Sequence, residues 1–297
     1  LAGSAGVAMA DVSFSGNAYM GVSNNWSSPV TLDTTWQFIS RVRLKMTASG
    51  ETDGGVTFGA SMESHNFADS GQSGLANQNG GSTVYIEGEF GKITMGDVGT
   101  ASDGIIGNVD KIGLDLPSGG YNELGYLLGN TKTAVKFERS FGDLSFAVSA
   151  GQLEQDITAN GDRRDEYSIA AKYNFGDYTV ALGYDMADIG AGGNIESASQ
   201  ISVAGTATFG NFSAKAIYSV FQIAGLGDED AWAISGTGNF DAIAVTAYYA
   251  DHFLGYSAYG IGASYDLGGG AKMKFGYEET DIAGDEAVID MGLAFDF

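Results

Sequence analysis

The chain reads as all-β: a 16-stranded antiparallel transmembrane β-barrel with a long third external loop folded into its lumen. One observation is strict alternation. In the C-terminal segment AVIDMGLAFDF, Ile289, Met291, Leu293, Phe295 and Phe297 are apolar, with Asp290, Gly292, Ala294 and Asp296 between them. A period of two gives a strand one greasy face and one small or acidic face. A second observation is a rhythm of tight turns. A third is what is missing: beyond residues 1–10, no apolar run approaches the ~18 residues of a membrane helix. A membrane β-barrel escapes that test, because its lipid face is spread over alternate positions.

The 297 residues are rich in glycine (46), poor in proline (2) and devoid of cysteine. No disulfide framework or thiolate metal site is therefore available. The formal charge of −23 argues against nucleic acid, whose phosphates demand a basic face. The segment LAGSAGVAMA at residues 1–10 is small and apolar and closes on Ala8-Met9-Ala10. It reads as the C-terminal part of a secretory signal peptide, with residues 11–297 as one barrel domain. An ordinary N-terminal arm is the alternative, and an intact mass starting at Asp11 or at Leu1 separates the two.

The turns place the strands. FGK at Phe90–Lys92, FGD at Phe141–Asp143 and Phe175–Asp177, and FGN at Phe209–Asn211 are joined by ETDGG at Glu51–Gly55, NFDA at Asn239–Ala242 and DLGGG at Asp266–Gly270. Glycine supplies the positive φ of a tight hairpin, and Asp or Asn tolerates it. Longer polar connections alternate with these seven turns. Strands are expected at 11–22, 36–49, 55–65, 82–90, 92–97, 131–140, 143–151, 165–175, 178–186, 198–208, 211–220, 230–238, 242–250, 257–266, 271–279 and 286–297. Pro29 and Pro117 fall in loops, where they cost no ladder hydrogen bond. An even strand count puts both ends of the sheet on one side, so the last strand can pair with the first, with Phe295 and Phe297 at the closing seam.

Alternation also assigns faces. Tyr178, Val180, Leu182, Tyr184 and Met186 oppose Thr179, Ala181, Gly183 and Asp185; Met273, Phe275 and Tyr277 oppose Lys272, Lys274, Gly276 and Glu278. The apolar set would be core in a soluble sandwich and lipid-facing in a barrel. Phe90, Phe141, Phe175, Phe209 and Phe240 recur beside the turns, as an interfacial girdle would.

The second strand carries Arg41, Arg43 and Lys45 on one face, within five residues. Like charges this close repel unless solvated or paired. They form either a solvated surface stripe or a basic wall of a water-filled pore. The acidic counterpart is the longest connection, roughly 98–130, which holds Asp103, Asp110, Asp115 and Glu123 and is entered past Asp97. Its length exceeds the ~12–15 residues of an ordinary structureless loop. Folded inward against the basic wall, it would narrow a channel and sort ions by charge. His65 and His252 lack any accompanying nucleophile motif, so an enzyme reading finds no roles to fill. Glu278–Glu279 read as solvated. GDED at Gly227–Asp230 reads as external loop, solvated or cation-binding.

The motifs DVSFSGNAYMGV, GGVTFGASM, EFGKITMGD, YGIGASYDLGGGA and the terminal MGLAFDF resemble the bacterial general porins, in particular the trimeric sixteen-stranded type of alphaproteobacteria such as Rhodobacter. The resemblance spans residues 11–297. It implies a homotrimer in the outer membrane, in contact with its lipid and lipopolysaccharide, with one pore per subunit narrowed by the third loop. It implies passive diffusion of small hydrophilic solutes, and a terminal Phe strand similar to the signal read by the barrel assembly machinery. No cofactor is required; calcium at acidic loops is a family property without assigned ligands here. The first strand departs from the pattern, with Asn17 and Tyr19 inward in place of a basic residue. Weak cation preference is expected from the net charge, tempered by Arg41, Arg43 and Lys45. A solute-specific channel, or a poreless surface β-protein or adhesin, are the alternative readings; Tyr85, Tyr121 and Tyr126 are too few for a sugar slide.

Overall fold

The computed structural model describes residues 11–24, 36–68, 81–114, 134–151, 163–191, 194–224, 227–282 and 287–297. Sixteen strands close into one antiparallel ring, each paired with its sequence neighbours and the last with the first. They are β1 (Asp11–Ser23), β2 (Gln37–Glu51), β3 (Thr57–Ala68), β4 (Ser82–Gly88), β5 (Gly91–Gly96), β6 (Ala134–Phe141), β7 (Leu144–Ala150), β8 (Arg163–Phe175), β9 (Tyr178–Ala191), β10 (Asn194–Phe209), β11 (Phe212–Ile223), β12 (Gly227–Phe240), β13 (Ile243–His252), β14 (Tyr256–Gly268), β15 (Ala271–Thr280) and β16 (Val288–Asp296). Among the described residues a single short helix, α1 (Ala101–Ile106), interrupts them.

Each expected tight turn contains its left-handed residue: Gly55, Gly91, Gly142, Gly176, Gly210 and Gly268–Gly270 all have positive φ. The turn without a usable glycine, NFDA, uses Asp241 at φ 52. A short polar side chain tolerates that conformation where a branched one would clash. The seam closes by hydrogen bonds. Asn17 faces Asp296 and Ser23 faces Asp290, while Gly16 and Phe297 exchange N–H···O bonds of 2.6 and 2.9 Å. A Cβ on Gly16 would come within 2.8 Å of the Phe297 ring, so glycine lets the terminal aromatic lie over the first strand.

All expected strands exist, but several differ in length. β9 and β10 run on to Ala191 and back from Asn194, where a polar connection of 187–197 was expected. Gly227–Asp230 is not external loop: it forms the exposed start of β12, with Asp228 opposite Gln222 and Asp230 opposite Val220. Both errors share a cause. Strand pairing satisfies the backbone wherever two chains run antiparallel, whereas alternation of apolar residues is demanded only where one face meets lipid. Conversely β4–β7 have only six to eight residues. Residues 1–10, and with them the expected cleavage site, lie outside the described residues.

The sheet is inside out relative to a soluble protein. Its large apolar side chains are exposed: Phe38 (89%), Phe14, Met20, Leu182, Val203, Ile234, Met273 and many others. An apolar surface this continuous on a water-soluble protein would drive association; in a bilayer it meets hydrocarbon. The Phe residues beside the turns are exposed too, and they touch. Phe175 stacks on Tyr178, Tyr178 meets Phe209 edge-on, and Phe212 meets Phe240. A second exposed aromatic band, absent from the sequence reading, comprises Tyr167, Tyr184, Tyr218, Trp232, Tyr249 and Tyr259 near the other strand ends.

Candidate functional site: the lumenal wall and the segment crossing it

The inward face carries the lysines of the strands. Lys45, Lys92, Lys136, Lys172, Lys215, Lys272 and Lys274, the lysines of the described strands, alternate with outward apolar residues and so share the inward side. Arg41 and Arg43 do the same, flanked by exposed Val42 and Leu44.

The basic wall is organised by its neighbours. Arg41, Arg43 and Lys45 lie opposite Tyr19, Asn17 and Ser15 of β1. Arg41 donates to Asn17 Oδ1 at 3.3 Å, and its guanidinium lies 4.7 Å from the Tyr19 ring centroid. Asn17 and Tyr19 of the first strand thus hold a basic residue of the second in place. On the other side Arg43 and Lys45 face His65 and Glu63 of β3, which hydrogen-bond each other. Arg41 is buried and Lys45 exposed, so the row runs from a packed end to an open one.

The segment after β5 takes the other wall. Thr100 caps α1, its hydroxyl accepting from the Asp103 N–H at 3.2 Å, and Gly107 at φ 61 ends it. α1 packs on β7, β8, β9 and β10. Its hold is made of hydroxyls: Ala101 N–H donates to Ser149 (2.9 Å) and Ser102 N–H to Ser168 (3.0 Å). Lys215 reaches up from β11 and donates to the carbonyl of Ile106, left without an internal partner at the end of the short helix, and to that of Asn108 beyond it. Further along, Asp110 N–H donates to Ser235 and Thr237 donates to the Asp110 carboxylate, both on β12. The described part ends with Leu114, whose N–H donates to Asp290 of β16 at 2.8 Å.

Apolar side chains reinforce this path. Ile106 and Val109 join inward Ala181, Ala204, Ile217 and Ala233 in one cluster, with Ile105 and Ile112 packed against it. Leu114 joins Tyr19, Ile39 and Val288 in another. Small wall residues make the fit. A Cβ on Gly183 would come within 2.5 Å of Ser102, and one on Gly262 within 2.7 Å of Ile112. Fully burying an aliphatic side chain is worth ~1.5–3 kcal/mol. The segment is therefore held mainly by its five aliphatics, and the hydrogen bonds set its register.

The expected site residues separate as follows. Arg41, Arg43 and Lys45 form one row on β2. Asp97 ends at the rim of β5, and Asp103 sits on α1, on the far side of the sixteen-strand ring from β2. Desolvation by the wall pushes the Asp103 carboxyl up from its ordinary value, although its surface still meets the lumen, and nearby Lys136 pulls it back. Asp110 does not face the basic wall: Thr237 holds its carboxylate to β12. Asp115 and Glu123 lie outside the described residues, as do Pro117, Tyr121 and Tyr126. Two further readings are corrected. Glu278 is not solvated but buried, accepting from Tyr248, while Glu279 on the outer face accepts from Tyr259 and Tyr277. Asp290 is not open to water either, because the incoming segment covers it. Among the described residues no three of His, Asp and Glu converge closely enough to hold a metal ion.

The residues missed from sequence are the docking set: Ser149, Ser168, Lys215, Ser235, Thr237 and Asp290. A signal existed. The stretch GIIGNVDKIGL, between Gly104 and Leu114, spaces five aliphatics through a connection read only for its acids.

Comparison with known proteins fits this geometry. Residues 1–285 match the family model described as Gram-negative porin. A porin of Rhodobacter capsulatus is 33% identical over 317 residues, covering 97% of this chain and all of the relative. A porin structure refined at 1.8 Å resolution superposes with a TM-score of 0.79 at 32% identity, covering 97% of this chain and all of that one. A triple mutant of the Rhodopseudomonas blastica porin superposes at 0.73 and 22% identity, a likeness of fold.

Proposed function

Because the chain belongs to the Gram-negative porin family, and is an outer-membrane β-barrel, we propose that it is a general diffusion channel whose constriction lies between Arg41, Arg43 and Lys45 and the segment 98–114 with Asp97 and Asp103. Its relatives are porins, channels rather than enzymes. The observation that carries the reading is the division of one closed ring into an apolar outer face and an inward face bearing every described strand lysine. Solutes pass through water along the charged face, and the docked segment narrows the path without touching the lipid side.

Weak cation preference follows from the net charge of −23, which concentrates cations at the mouths, offset by the basic row. The chain forms a homotrimer through the outer wall of β1–β5 and β16. That wall exposes Met20, Met46, Met62, Met95 and Met291 and, within those strands, no outward tyrosine or tryptophan. Adaptable methionines suit a protein contact, whereas the Tyr and Trp band of β8–β14 suits headgroups, lipopolysaccharide included. Phe295 and Phe297 at the seam serve as the assembly signal. Planar-bilayer recording of the detergent-purified protein tests the central point. Stepwise ohmic channels, with a reversal potential of cation sign in a KCl gradient, are expected. A protein that yields no channels at any voltage contradicts the reading.

A further inference from the structure

Arg139 of β6 is a strand cation that does not point into the lumen. It lies opposite Phe146 of β7 and shares its face with exposed Val135 and Phe141, so it stands on the lipid side. Its neighbours Lys136 and Glu138 pair with each other on the inner side at 3.4 Å. The Arg139 guanidinium lies 4.4 Å from the Phe141 ring centroid. Phe141 in turn stacks on Phe146 at 6.0 Å, and Phe146 meets Phe137 at 5.7 Å. A cation–π contact uses one face of a guanidinium and leaves its edge of N–H donors free. Among the described residues no carboxylate forms an ion pair with Arg139. Nor does the turn demand an arginine. In the FGK, FGD and FGN turns the position two before the phenylalanine holds Gly88, Arg139, Tyr173 and Ala207. An arginine on the lipid face is costly at mid-membrane and tolerated near the interface, where its head can reach polar groups.

From this geometry we infer that the outer face of the β6–β7 hairpin holds an amine-bearing phospholipid of the leaflet on the turn side. The inference goes beyond the channel reading and needs only the membrane barrel. The groups along the hairpin stand in the same order as the groups of such a lipid. Phe137, Phe146 and exposed Val148 offer an apolar surface to the acyl chains. Arg139 comes next toward the turn, and its planar fork matches the two non-bridging oxygens of a phosphodiester. Asp143 stands in the turn itself, exposed and beyond the end of β6, at the level of a headgroup ammonium. The turn is fixed from the neighbouring hairpin, because Asn174 N–H donates to the Asp143 carbonyl at 3.0 Å. Arg139 and Asp143 form no ion pair with each other or with another described residue, so both charges are available to a ligand. The second charge makes the site selective. An ethanolamine headgroup answers both Arg139 and Asp143, whereas a glycerol headgroup answers Arg139 and leaves Asp143 unmatched. β6 and β7 also lie outside the wall of β1–β5 and β16 proposed above for the trimer contact, so this face meets lipid.

The test is native mass spectrometry of the full chain, delipidated in detergent and titrated with phosphatidylethanolamine, phosphatidylglycerol or diacylglycerol of the same acyl chains. The unmutated chain is expected to retain phosphatidylethanolamine best and diacylglycerol least. Arg139→Gln should raise the half-saturating phosphatidylethanolamine concentration about tenfold, as loss of a charge-assisted pair does. Arg139→Lys, which keeps the charge and loses the fork, should fall between the two. Asp143→Asn should abolish the preference for ethanolamine over glycerol headgroups while phospholipid binding persists. Circular dichroism of each variant should show the barrel unchanged. Diacylglycerol retained as well as phosphatidylethanolamine, or binding unaltered in Arg139→Gln, overturns the site. Equal retention of the two phospholipids by the unmutated chain overturns its selection of an amine.

Discussion

The two halves of the inner wall solve opposite problems with the same strand geometry. Along β1–β3 the inward positions carry long side chains in register across the strands, Arg41 braced by Asn17 and Tyr19, Arg43 and Lys45 opposite the hydrogen-bonded His65 and Glu63. Along β7–β12 they carry Ser149, Ser168, Gly183, Ala204, Ser235 and Thr237, short enough for another chain to lie on. Side-chain length thus decides which wall stays open to solutes and which becomes a seat. The contrast teaches that in a barrel the lumen is shaped less by the strands, which are alike, than by what their inward positions leave room for.

Filling the seat should have the largest effect. Gly183→Val places a branched side chain against Ser102 and Ile106, and overpacking of this kind costs ~1–3 kcal/mol. The helix is expected to lift into the lumen, lowering single-channel conductance and raising current noise while the barrel stays folded by circular dichroism. Emptying the open wall comes next. Two unit charges ~10 Å apart in water interact by ~0.4 kcal/mol, roughly a twofold change in local ion concentration per charge. The Arg41→Gln, Arg43→Gln double variant should therefore shift the potassium-to-chloride permeability ratio toward potassium, roughly two- to fourfold, read as a reversal potential. Acidification should act early through Asp103, because desolvation holds its carboxyl above the ordinary range. As pH falls Asp103 becomes neutral before an ordinary carboxylate does, so cation preference weakens early, and Asp103→Asn should remove that early component. The smallest effect belongs to Ser102→Ala, which keeps the backbone bond to Ser168 and loses one hydroxyl contact. A neutral hydrogen bond is worth about 1 kcal/mol, visible as slightly noisier current at unchanged mean conductance.

The barrel was legible in the sequence because lipid imposes a period of two on every crossing and the tight turns demand glycine or its substitutes. Hence each strand, the Asp241 turn and the inward row Arg41, Arg43, Lys45 could be read directly. Where no lipid touches the chain the signal fades, and the extensions of β9 and β10 and the start of β12 at Gly227–Asp230 were misread as loop. The seat was illegible for another reason. Ser149, Ser168 and Asp290 lie 48, 66 and 176 residues from Ala101, Ser102 and Leu114, and nothing local marks a serine as a docking point. Asp110 shows the hazard of reading charge alone, since its carboxylate is tied by Thr237 to the wall on which it lies.

The division into an open wall and a covered wall can be tested directly, because the chain contains no cysteine of its own. Lys45→Cys and Ser168→Cys each place a single inward thiol, one on the exposed end of the basic row and one beneath α1. With a charged, water-soluble thiol reagent perfused through channels in a bilayer, the account predicts rapid modification and a conductance step for Lys45→Cys, and slow or absent modification for Ser168→Cys. Equal rates at the two positions would contradict it.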